Sequence, residues 1–151
     1  MGRKSFPMKN GCVVGYGAIG PIHAKALKKM NCLYGVCDID SEKIKHLDSV
    51  KKYSSYDDVL LDESVDVVHV CTPHYLHAEM AGSALAAGKD VVLEKPVGID
   101  RSSVSKLMNY RGKHKICIML QNRKNPSVSL MKKLIDGRRY GNLLSINAQL
   151  L

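Results

Sequence analysis

The chain has 151 residues and a mass of 16.7 kDa, enough for one hydrophobic core and short for two complete domains. Apolar residues make up 45% and charged residues 25%, which excludes a disordered or fibrous chain, and no apolar run approaches the ~20 residues of a membrane span. The net charge of +9 is uneven: residues 101–151 carry 11 basic side chains against 1 acidic.

Residues 1–10 read as a loose tail. The start Met1-Gly2-Arg3-Lys4 lacks the apolar stretch of a secretory signal, so a cytoplasmic protein is expected. Residues 11–15 form a short apolar run ending in glycine, and a helical pattern follows over 19–30. Residues 33–38 are a second apolar run. Residues 41–50 are expected to be helical, with Asp40 or Ser41 as the cap. A weak strand is expected near Tyr53, and the Ser55-x-x-Asp58 pattern opens a short helix over 56–61. Residues 65–71, β-branched almost throughout, read as a strand buried on both faces. After Pro73 comes a small-residue helix over 77–87, stopped by Gly88, and then a strand over 90–94. Asp100 caps a helix running to about Lys113, and a sixth strand covers 115–120. Pro126 opens a helix to Asp136, closed by Gly137, and residues 143–151 read as a further strand.

Strands alternating with helices at this spacing predict parallel units joined by right-handed crossovers. The expected fold class is α/β, a doubly wound and mainly parallel Rossmann-type sheet with strand order 3-2-1-4-5-6. The boundaries expected are a tail over 1–10, a dinucleotide-binding domain over 11–121, and a segment of another domain over 122–151. Cys12, Cys32, Cys37, Cys71 and Cys117 contain no C-x-x-C pair, so neither a zinc site nor a disulfide framework is expected. Cys12, Cys37, Cys71 and Cys117 fall in the apolar runs and are expected as buried free thiols. The basic residues Arg101, Lys106, Arg111, Lys113, Lys132, Lys133, Arg138 and Arg139 fit the solvated faces of two helices. No aromatics are interleaved for base stacking, so neither nucleic acid nor membrane is the expected partner. An acidic protein surface suits them better, including an acidic further part of the same polypeptide.

The string Gly15-Tyr16-Gly17-Ala18-Ile19-Gly20 is a G-x-G-x-x-G between an apolar strand and a helix, the context that dinucleotide binding requires. Gly15 permits the tight turn and Gly17 the approach of a pyrophosphate. Gly20 permits close packing of helix on strand, while the helix N-terminus faces the phosphates with its N–H groups and positive dipole. A plain strand-to-helix turn is the competing reading. Asp38 ends the second run, 18 residues after Gly20, close to the spacing of a ribose-binding acid. A carboxylate there accepts from a 2′-hydroxyl and repels a 2′-phosphate, so NAD is favoured over NADP. Lys43 and Lys45 nearby soften that preference. Cys71-Thr72-Pro73 and Glu94-Lys95-Pro96 leave the carboxyl ends of two further strands, where ligands bind in open α/β sheets. A lysine there can hold a substrate hydroxyl and pass a proton, or can simply be a solvated strand-end lysine.

The segments 15–27 (GYGAIGPIHAKAL), 71–98 (CTPHYLHAEMAGSALAAGKDVVLEKPVG) and 121–146 (QNRKNPSVSLMKKLIDGRRYGNLLSI) resemble the Gfo/Idh/MocA oxidoreductases. That resemblance runs from about Gly11 to the last residue and implies NAD(P)-dependent hydride transfer on sugars, polyols or related alcohols. It also implies a catalytic role for Lys95 with a Lys95–Pro96 bond that is often cis, and a nicotinamide side lined by Thr72, Pro73 and Glu94. It places Gln121, Asn122 and Arg123 in a crossover segment near the cleft, although Lys124 stands where an aromatic residue is common. His77 is expected as a packing residue at a helix start. The cofactor-binding set is thus Gly15, Gly17, Ala18, Ile19, Gly20, Asp38, Thr72, Pro73, Glu94, Lys95 and Gln121, with no metal.

The family's second domain supplies most substrate contacts, including an aspartate and a histidine that work beside the lysine. This chain is expected to be the cofactor half of such an enzyme, ending in the first strand of the second domain and able to self-associate through it. His69, His74 and His114 are not assigned to replace the missing pair. A non-catalytic NAD-binding module is the alternative.

Overall fold

The computed structural model describes residues 8–110, 112 and 114–147. They fall into two units, one reaching Met119 and the other beginning at Leu120. The first unit comprises β1 (Gly11–Val14), α1 (Gly20–Lys29), β2 (Leu33–Cys37), β3 (Lys51–Tyr53), α2 (Tyr56–Leu61), β4 (Val67–Val70), α3 (His77–Ala86), β5 (Asp90–Leu93), α4 (Arg101–Leu107) and β6 (Ile116–Ile118). All strand pairs are parallel, in the order β3-β2-β1-β4-β5-β6. This is the doubly wound Rossmann sheet that the alternation predicts, because each parallel pairing demands a crossover long enough to hold a helix.

Burial follows from strand periodicity. Val68, Val70, Val91 and Leu93 pack with Ala78, Ala81, Ala84 and Leu85 of α3 on one face. Val13 packs with Ala24 and Leu27 of α1 on the other. Lys89, only 5% exposed, is a buried cation just before β5. Its Nζ donates to the carbonyls of Asp62 (2.7 Å) and Val65 (2.9 Å), closing the loop that leads into β4. Lys89→Met keeps the aliphatic stem but leaves the Val65 carbonyl without this donor and the Asp62 carbonyl with only the Val65 N–H (3.1 Å), so urea unfolding should show a loss of about 2 kcal/mol. A loss below about 0.5 kcal/mol would mean that water replaces the ammonium.

Several expectations need correction. Residues 41–50 do not form a helix: one 3₁₀ turn (Ser41–Lys43) is capped by Asp40, whose side chain accepts from the Glu42 N–H. Ile44, Leu47 and Val50 all lie beyond that turn, in non-helical backbone, with Ile44 buried and Leu47 and Val50 half-buried. Ser49, at φ 62°, then redirects the chain into β3. The helix after Asp100 stops at Leu107 and tightens into a 3₁₀ turn, Met108–Tyr110; Arg111 and Lys113 lie outside the described residues. Cys117 is exposed rather than buried, since β6 is the outermost strand among the described residues. Cys12 and Cys37 are buried and Cys71 is half-buried, all three as free thiols.

The second unit holds a 3₁₀ turn (Gln121–Lys124) and α5 (Pro126–Asp136). Asn125 caps α5 by accepting from the Ser127 N–H, and Pro126 occupies the first turn, where no N–H is required. Gly137 closes the helix in ordinary right-handed geometry, and it is Arg138 that turns left-handed, at φ 46°. Of the strand expected over 143–151, residues 143–147 form none, having no ladder partner, and 148–151 lie outside the described residues.

Candidate functional site

A parallel sheet delivers the carboxyl ends of its strands to one edge. The ladders continue one residue beyond the strands: Gly15 N–H donates to the Cys37 carbonyl (2.8 Å), Cys71 N–H to Val14 (2.8 Å) and Glu94 N–H to Val70 (3.1 Å). The loops after β1, β2, β4 and β5 are therefore held to the sheet, with the switch in winding direction between β1 and β4.

Each motif glycine meets a distinct constraint. Gly15 sits at φ +91°, and a Cβ on it would lie 2.7 Å from the Cys71 carbonyl oxygen. A Cβ on Gly20 would lie 2.2 Å from the Gly15 carbonyl oxygen, so helix and turn pack backbone on backbone. Gly17 has nothing within 4 Å of its Cβ position and forms an exposed rim with Ala18 and Ile19. No side chain caps the start of α1, and no acid lies in its first turn. Pro21 has no N–H, and the Ile22 and His23 N–H groups bond the Ile19 carbonyl (3.0 and 3.3 Å), so the helix offers an anion its positive end and the Gly20 N–H.

Asp38 follows β2 and is 7% exposed. Its Oδ2 accepts from the Tyr16 N–H (2.7 Å), while Oδ1 accepts from the Asp40 N–H (2.9 Å) and faces Lys43 Nζ at 3.4 Å. Burial pushes the carboxyl up, but the two backbone donors and Lys43 together outweigh it and hold the group below the usual carboxylate range. The same bonds lock the glycine loop onto the end of β2. Lys45 instead pairs with Glu42.

The loops after β4 and β5 are joined by His77, the first residue of α3 and 1% exposed. Its Nε2 lies 2.8 Å from the Thr72 carbonyl and its Nδ1 lies 2.6 Å from the Pro96 carbonyl. The sequence suggests a packing residue, and the structure adds a strut between Thr72-Pro73 and the Lys95–Pro96 turn, whose peptide is cis. His77→Leu removes the ring N–H donor between the two carbonyls, so the melting temperature should fall by about 8 °C, or about 2 kcal/mol. A change under about 2 °C would reduce His77 to a space filler.

Glu94 accepts the Lys95 N–H at Oε2 (3.2 Å), and its Oε1 lies 3.0 Å from Nε2 of His23 on α1. Lys95 is exposed at this edge. His23 escaped the sequence reading, although it interrupts the apolar stripe of α1 that carries Ala24 and Leu27, and that interruption was a usable signal. Gln121 lies in the second unit, exposed at the first position of its 3₁₀ turn. Among the described residues no cluster of three His, Cys, Asp or Glu side chains could hold a metal, and no helix is long and apolar enough to cross a membrane.

The family model described as an oxidoreductase family with an NAD-binding Rossmann fold, Gfo/Idh/MocA, matches residues 9–122. The chain belongs to this family. As a Gfo/Idh/MocA member it is similar to inositol 2-dehydrogenase of Salmonella typhimurium, 28% identical over 150 residues, covering 91% of this chain and 44% of that protein. It is 31% identical over 145 residues to glucose-6-phosphate 3-dehydrogenase of Bacillus subtilis, covering 92% of this chain and 41% of that one. The WlbA dehydrogenase of Bordetella pertussis, solved with NADH and UDP-GlcNAcA, superposes with a TM-score of 0.82 at 26% identity, covering 89% of this chain and 43% of that one. The chain thus spans less than half the length of these relatives and corresponds to the NAD-binding part of a Gfo/Idh/MocA oxidoreductase.

Proposed function

We propose that this chain is the cofactor half of a dehydrogenase that moves a hydride between nicotinamide C4 and a carbon of a sugar, polyol or related alcohol. The observation that carries the reading is the uncapped start of α1, with clear space over Gly17 and the anionic Asp38 tied to the same loop through Tyr16. Gly15, Gly17, Ala18, Ile19 and Gly20 hold the pyrophosphate, and Asp38 accepts from the ribose. Thr72, Pro73 and Glu94 line the nicotinamide side. The dinucleotide supplies the hydride acceptor or donor. Lys95 binds the substrate oxygen and carries its proton to or from solvent.

NAD is preferred over NADP because an anionic Asp38 repels a 2′-phosphate, and Lys43 tempers the preference without cancelling it. The name of the Salmonella relative supports a polyol as substrate, and that of the Bacillus relative a sugar phosphate. Fluorescence titration of the 151-residue chain with NADH and NADPH tests the reading. The expected result is NADH bound about tenfold more tightly, a difference of about 1.4 kcal/mol. Binding of neither cofactor by the folded chain would overturn it, and equal binding would remove the preference.

A further inference from the structure

A line of polar groups runs beneath α1 that the cofactor reading leaves unused. Val13, His69 and Val92 are register partners on β1, β4 and β5, so their side chains share the sheet face on which α1 packs. His69 meets His23 there. The two Nδ1 atoms are 3.0 Å apart and the rings stand at 84° to one another. His23 is 6% exposed and the Glu94 side chain 12%.

The chemistry of these contacts restricts where the protons sit. A carboxylate only accepts, so the contact between His23 Nε2 and Glu94 Oε1 requires the hydrogen on Nε2. Two nitrogens 3.0 Å apart hold one hydrogen between them. Burial, and then the neighbouring His23, push His69 down to about 4, so it is neutral at physiological pH. Either His69 donates from Nδ1 to a neutral His23, or a protonated His23 donates to both sides. His23 Nε2–H points at Glu94 in both states. The remaining tautomer, with the hydrogen on Nδ1 alone, would set a lone pair against the carboxylate. Glu94 Oε2 in turn accepts the Lys95 N–H.

We propose that His23 is the positioning residue of the Glu94–Lys95 corner, and that His69 holds His23 in the ring state that keeps Nε2–H aimed at Glu94. It acts through Glu94 and need touch neither cofactor nor substrate. Its consequence for cofactor binding rests on the function proposed above, whereas the ring states do not.

Long-range ¹H–¹⁵N spectra of the chain read the ring states, the Lys95 amide resonance reads the corner, and NADH titration reads the consequence. His23 is expected to carry hydrogen at Nε2, with His69 neutral. His23→Leu should shift the Lys95 amide and weaken NADH binding about tenfold. His23→Gln, whose side-chain amide can donate to Glu94, should restore the amide shift and most of the affinity, which a packing role alone would not do. His69→Val should move the His23 ring signals and, where His23→Leu fails to fold, supplies the variant arm. Hydrogen on His23 Nδ1 alone, or a Lys95 amide indifferent to both substitutions, would overturn the proposal. Correct ring states and a responsive Lys95 amide in a chain that binds no NADH would support the positioning and sink the cofactor reading alone.

Discussion

Gly20→Ala is expected to abolish measurable NADH binding and to lower the melting temperature by about 10 °C, equivalent to about 3 kcal/mol. The added methyl would stand 2.2 Å from the Gly15 carbonyl oxygen, and both partners are backbone, so no side chain can swing away to relieve the clash. Either α1 retreats from the turn or the turn opens. In both cases the positive end of α1 and the Gly20 N–H shift relative to the exposed rim of Gly17, Ala18 and Ile19. Gly17→Ala is the informative contrast. Nothing lies within 4 Å of its Cβ position, so the melting temperature should hold within about 2 °C while NADH affinity falls, because the methyl occupies the cofactor's approach. Equal loss of stability in the two variants would show that the motif serves only the turn. Unchanged NADH binding in Gly17→Ala would show that the pyrophosphate lies elsewhere.

Asp38→Ala is expected to weaken NADH binding about thirtyfold and to narrow the gap to NADPH, since it removes an anionic acceptor of the kind worth about 2 kcal/mol. The substitution also releases Tyr16 and Asp40, so part of the loss would come from a loosened glycine loop. Asp38→Asn separates the two effects, because its amide oxygen can still accept the Tyr16 N–H while the charge is gone. NADPH should then gain relative to NADH, with a smaller fall in melting temperature than Asp38→Ala gives, because only the Asp40 N–H and Lys43 lose their acceptor. An unaltered NADH-to-NADPH ratio in both variants would discard Asp38 as the discriminator. The carboxyl also predicts a pH dependence. Its folded-state pKa lies below the ordinary 3.8, so the stability it contributes is present above about pH 4 and is lost as the pH falls through the folded value. Asp38→Asn should flatten the acid limb of the stability curve. A limb as steep as that of the unaltered chain would place the responsible carboxyl elsewhere.

The family, the Rossmann sheet and its strand order are legible in the sequence, because each follows from short-range rules. Valine-rich runs separated by helical patterns admit few arrangements besides a parallel sheet with crossovers, and a glycine motif between strand and helix allows only a narrow range of turns. The charge and capping signals of 41–50 suggest a helix, and the Asp40 cap does open one, but only as a single 3₁₀ turn over Ser41–Lys43. The exposure of Cys117 could not be read locally either. Its neighbours are as apolar as those of Cys12, and only the position of β6 at the sheet edge separates them.

The line from His69 through His23 to Glu94 was beyond the reach of any spacing rule. Its members are 46 and 71 residues apart along the chain, and three different elements bring them together. Periodicity and capping act over one or two turns, and so they settled which elements form and in what order they pair. Which buried polar atoms meet depends on strand register and on where α1 crosses the sheet, distances that exist only once the chain has folded.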